Sequence, residues 1–158
     1  MTERASEPLA VGAREQMMLV PLLRDLIAGL GQAPSAAGYR DLLADIEAGT
    51  VAPERFPQLE NFLELGLHTG RFRSRFGASG EEALVRLFHQ TPRGAGIAGS
   101  VAAVNQALTA LAGQELAGLS LAAHGPDAYS LSVETDRCRL TVRIDRSGVR
   151  VGDVELAV

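Results

Sequence analysis

From residue 117 to the end of the chain, apolar and polar residues alternate, and this pattern restricts the fold more than any other feature of the sequence. Leu119, Leu121 and Ala123 share one parity. Tyr129, Leu131 and Val133 follow, then Cys138, Leu140, Val142 and Ile144, then Val149 and Val151, and finally Val154 and Leu156. Successive side chains of a strand point to opposite faces, so each run collects its apolar residues on one face of a sheet. Four turn signals separate the runs: Gly125-Pro126-Asp127, Thr135-Asp136, Arg146-Ser147-Gly148 and Gly152-Asp153. Closing each as a tight hairpin predicts Ala123 opposite Tyr129, Val133 opposite Cys138, Ile144 opposite Val149, and Val151 opposite Val154. On the other face Glu134 meets Arg137 and Arg150 meets Glu155, while Arg143 opposite Arg150 is the one like-charge pair. A slip by one residue would exchange the faces, so the pattern predicts a one-sided antiparallel β-meander of four to five strands over 117–158.

The residues before it have helical periodicity. Met18, Leu19, Leu22, Leu23, Leu26, Ile27 and Leu30 recur at helical spacing between Arg14 and Gly31, with Pro21 expected to kink or offset the first turn. Ser35 is placed to cap a second helix that carries Tyr39, Leu42, Leu43 and Ile46 on one side and stops at Gly49. A third helix, Gln58 to Phe76, is apolar around most of its circumference and carries a polar stripe of Glu60, Glu64, His68, Arg71 and Arg75. Ser79-Gly80-Glu81-Glu82 reads as a capping box opening a fourth helix that ends before Pro92. A fifth, from about Ser100 to Ala112, has Val101, Val104, Leu108 and Leu111 along one seam and is expected to cover the sheet. Helices first and strands afterwards indicate an α+β fold, with about five N-terminal helices packed on the meander. The expected organisation is a flexible tail over 1–11 and a single domain over 12–158, helical over 12–113.

Composition narrows the function. No window reaches the roughly 18 consecutive apolar residues of a membrane span, and the acidic start, with Glu3 and Glu7, lacks the basic and apolar regions of a secretory signal. The single cysteine, Cys138, permits no intrachain disulfide and suits a reducing, cytoplasmic setting. A net charge of −4 argues against nucleic-acid binding. All 15 basic residues are arginine, which removes the phosphate-loop lysine and any lysine Schiff base.

Gly94-Ala95-Gly96-Ile97-Ala98-Gly99 matches GxGxxG, but a helix rather than a strand precedes it and the next strand ends at His124 without the acidic residue expected there, so a dinucleotide site is disfavoured. A simpler anion site would use Arg93 and free amides near Ser100. Glu60, Glu64 and His68, completed by Glu82 and His89, offer oxygen and nitrogen donors for a metal ion. Their i, i+4 spacing departs from the Glu-x-x-His of di-metal bundles, and ion pairing explains the same residues, so no metal or other cofactor is assigned. Arg71, Arg73 and Arg75 near the end of the third helix would complement its dipole, or else hold a small anion or an acidic partner. His124 lies beside the first hairpin turn, where it could pair with Cys138, but the inward parity of Cys138 makes it a core thiol, so no catalytic residue is assigned.

The sequence therefore points to a non-catalytic interaction or accessory module that binds a protein partner or forms a homodimer through helix faces, with Leu22, Leu26 and Phe62 at the contact. The alternative is a domain, enzymatic or not, binding a small anionic or apolar ligand between helices and sheet through His68, Arg71, Arg75, Arg93 and Ser100.

Overall fold

A computed structural model describes residues 7–156. Residues 1–6 of the expected tail and 157–158 of the expected last strand lie outside the described residues. The architecture is α+β, with five helices followed by a four-stranded antiparallel sheet. The chain divides into two compact units, 1–95 and 96–158, each with its own apolar core.

In the first unit, β1 (Leu9–Ala10) pairs with β2 (Thr50–Val51), and the helices are α1 (Ala13–Leu30), α2 (Ser35–Ala48), α3 (Phe56–His68) and α4 (Arg71–Gln90). Part of the expected tail is structural: Leu9 and Val11 are buried, and the Val11 amide donates to the Gly49 carbonyl. Pro21 lies well inside an unbroken α1, on its exposed side, rather than in its first turn. Ser35 opens α2 without a side-chain cap, Pro34 being the capping residue, and Gly49 ends that helix in the left-handed conformation, φ 84°. Leu19, Leu23, Leu42, Ile46, Leu59, Leu63 and Leu84 are wholly buried together.

The expected third helix is two helices. Gly70, at φ 68°, takes a left-handed turn that a residue with a Cβ rarely adopts, so α3 stops at His68 and Arg71 begins α4. Gly77, at φ 71°, kinks α4 just before the expected capping box. There the Ser79 hydroxyl accepts a hydrogen bond from Arg14 Nη2 at 2.7 Å.

The fifth helix, α5 (Pro92–Thr109), begins eight residues earlier than expected and takes in the whole glycine-rich segment. Thr91 supplies the cap: extended at φ −76°, ψ 157°, it accepts the Gly94 amide on Oγ1 at 3.2 Å and donates to the Phe88 carbonyl at 2.7 Å. Pro92 at the first helical position loses no hydrogen bond there. A side chain at Gly94 would collide with the Phe88 carbonyl, so this glycine permits the close approach of α5 to the end of α4.

The second unit contains the rest of α5 and the sheet, β3 (Leu116–Gly125), β4 (Ala128–Thr135), β5 (Cys138–Asp145) and β6 (Gly148–Leu156), in that order. The Ala123–Tyr129, Ile144–Val149 and Arg143–Arg150 pairs form as expected. Two registers differ. Val133 pairs with Leu140, and Glu134 with Arg139, because the turn is Asp136-Arg137: the buried Thr135 hydroxyl accepts the amides of Arg137 and Cys138 at 3.3 and 3.0 Å. The change preserves parity, so the faces are unaltered. Gly152-Asp153 is a β-bulge and not a hairpin. Val151 pairs with Val142, Val154 with Leu140, and Glu155 with Arg139, in one continuous last strand. Against this sheet α5 packs Val104 onto Leu140 and Val142, with Ala107, Leu108 and Leu111 around them.

Candidate functional site

The apolar stripes of α1 and α3 are wider than the core they share. Leu22, Leu26, Phe62, Leu65 and Phe72 line a groove of about 480 Å³, with Arg71 and Ser74 at its edge. Gly66 shapes the wall. A side chain there would enter the Phe72 ring, and in its absence Phe72 lies against α3 and meets Phe62 edge-on, with centroids 6.1 Å apart. Leu65 remains 57% exposed beside them. The residues expected at a contact, Leu22, Leu26 and Phe62, thus share one surface. Phe72 and Ser74 could not be grouped with them from sequence, because the left-handed turn at Gly70 redirects the chain.

That turn also reverses the electrostatic meaning of the arginines. Placed at the end of a helix, Arg71, Arg73 and Arg75 would complement the dipole. They stand instead in the first turns of α4, where no acidic residue accompanies them and the helix already presents positive partial charge. Among the described residues only Arg73 has an acidic neighbour, Glu81 at 4.0 Å, while Arg71 and Arg75 form no ion pair. Of the three arginines Arg71 alone lines the groove, which is otherwise largely apolar.

Of the other residues expected at a site, His68 is exposed at the end of α3. Arg93 is engaged elsewhere: its guanidinium pairs with Glu64 at 3.0 Å, and its amide donates to Glu60 Oε1 at 2.8 Å. Two carboxylates of the α3 stripe thus serve the start of α5, and an N-terminus that could receive an anion holds the chain's own Glu60. Ser100 lies in the second unit, inside α5, with its hydroxyl donating to the Gly96 carbonyl at 2.9 Å. The amides near it belong to the helix. Glu82 pairs with Arg86 at 2.9 Å, and among the described residues no group of three His, Cys, Asp or Glu side chains is arranged to hold a metal ion.

The outer face of the sheet has a smaller pocket of about 330 Å³ whose lining includes His124, Ser130, Thr141, Arg143 and Arg150. The like-charge pair is relieved on both sides, Arg150 by Asp145 at 2.7 Å and Arg143 by Asp153 at 3.6 Å. The Asp145 carboxyl is held below the ordinary carboxylate range, first by hydrogen bonds from the Ser147 hydroxyl and amide and then by Arg150. Arg139 is raised by the hydrogen bond and charge of Glu134, then by the charge of Glu155. His124 is within 2.7 Å of the Ser130 hydroxyl and not paired with Cys138, whose thiol donates to Gln114 Oε1 at 3.6 Å. No carboxylate hydrogen-bonds His124 among the described residues, so this contact lacks the third member that would orient an imidazole to activate a hydroxyl.

No protein-family model matches the chain, and comparison with curated proteins and with solved structures gives no match either. No helix is long and apolar enough to cross a membrane among the described residues.

Proposed function

We propose that the chain is a non-catalytic interaction module whose helical unit receives an amphipathic helix of a protein partner, apolar on the side entering the groove and acidic beside it. One observation supports this reading above the rest: Phe62, Phe72 and the exposed Leu65 line a groove together with Arg71, which opens a helix with no acidic residue in its first turn and forms no ion pair among the described residues. Arginines so placed are unfavourable in the free chain by a few tenths of a kcal/mol each, up to about 1 kcal/mol, and become favourable against a carboxylate. Apolar anchors in a groove would supply the affinity, and the charges the orientation and rate. A lone, buried cysteine suits such a module to a reducing compartment, the cytoplasm.

The test is fluorescence anisotropy with a synthetic amphipathic helix of leucines flanked by glutamates. Binding is expected to weaken with salt, to fall at least tenfold in Leu65→Asp, and to fall several-fold in Arg71→Glu. Equal binding of a peptide with lysines in place of the glutamates would overturn the reading. The competing function, a small anionic ligand at the same arginines, would appear instead as saturable shifts of the Arg71 and Arg75 resonances with inorganic phosphate alone.

A further inference from the structure

The two edges of the four-stranded sheet are unlike. β6 has the features that keep an edge from pairing: Arg150, Asp153 and Glu155 project from it, and the bulge at Gly152 breaks its regularity. β3 has none of the charges. Its ten residues, Leu116-Ala-Gly-Leu-Ser-Leu-Ala-Ala-His-Gly125, contain no Asp, Glu, Lys or Arg, and its irregularities lie only toward its ends, leaving Gly118–Ala123 evenly paired with β4. Leu119 and Leu121 are 65% and 67% exposed although they stand opposite Val133 and Leu131 on the face that α5 packs against. Geometry explains the gap. Four strands about 4.8 Å apart present a face roughly 14–19 Å wide, whereas one helix with its side chains is about 10 Å across.

The sequence of this edge is nearly palindromic about Ser120: Ala117-Gly118-Leu119, Ser120, Leu121-Ala122-Ala123. An antiparallel two-fold pairing centred there sets Leu119 opposite the second copy's Leu121, Gly118 opposite its Ala122, Ala117 opposite its Ala123, and serine opposite serine. No charge opposes a like charge, and the apolar row continues from one sheet into the next on the same face. We infer that β3 pairs edge to edge with β3 of a second copy, forming a continuous eight-stranded sheet with an isologous interface.

Sedimentation equilibrium of the full chain over a range of concentrations tests this. The wild type is expected to show a concentration-dependent monomer–dimer equilibrium. Ser120 is exposed, so Ser120→Lys and Ser120→Glu should fold normally by circular dichroism. Each places like charges opposite one another at the two-fold axis and should weaken the dimer roughly five-fold. Mixing the two variants in equal amounts should restore a dimer at least as tight as the wild type. A wild type that stays monomeric throughout its soluble range overturns the inference, as does a variant that dimerises like the wild type. Failure of the mixture to recover overturns the pairing about Ser120. No peptide enters the measurement, so its outcome is separate from that of the groove.

Discussion

Leu63 and Leu121 are the same side chain in the two units, yet the first is 0% exposed and the second 67%. In the helical unit several apolar faces meet around common residues, and each helix covers what its neighbours leave open. The sheet unit has one helix for four strands, so a buried cluster forms under α5 at Val104, Leu140 and Val142 while the β3 row stays in solvent. The contrast teaches that apolar periodicity assigns a residue to a face but does not supply the element that covers it. It also locates surplus apolar surface in two places, a groove lined in part by Arg71 and an uncharged edge.

Several substitutions would break or sharpen this contrast. Leu63→Ala should cost about 2–5 kcal/mol in chemical denaturation, because the helical core has little room to collapse around the loss. Leu140→Ala in the thinner sheet core should cost about 2 kcal/mol, the lower end of that range. An equal or greater loss would show the sheet unit to be as tightly packed as the helical one. Thr91→Ala, which removes the hydroxyl capping α5, should cost roughly 1 kcal/mol. Leu121→Ser, measured at high dilution, should change stability by no more than about 0.5 kcal/mol, since the residue is already in water. A larger loss would mean that β3 is covered.

The smallest effect concerns charge. Asp145 has a lowered carboxyl pKa in the fold, so its contribution to stability is present above the ordinary carboxylate range near pH 4 and disappears as pH falls through the lowered value. Ser147→Ala should move the Asp145 titration, followed by carboxyl NMR, back toward the ordinary range. An unchanged titration would leave the backbone amide of residue 147 and Arg150 as the causes.

The meander was legible because period-two alternation is local and a one-residue slip would bury charges such as Arg139 and Arg143. The pairing of Val133 was not, since the Thr135 hydroxyl and the Asp136-Arg137 turn decide between registers of equal parity. Leu22, Leu26 and Phe62 were identifiable as surplus apolar surface. Their union with Phe72 in a groove was not, because it depends on the backbone sign at Gly70.

By itself the sequence determined the order of helices and strands, the two faces of the sheet, and the absence of lysine chemistry, all of which follow from residue types and their spacing. Only the tertiary structure decided that Glu60 and Glu64 engage Arg93, that the arginines begin a helix rather than end one, and that α5 leaves β3 uncovered. Those outcomes turn on the geometry of two glycine-dependent junctions and on the width of one helix against four strands, and neither is encoded in the periodicity of a single segment.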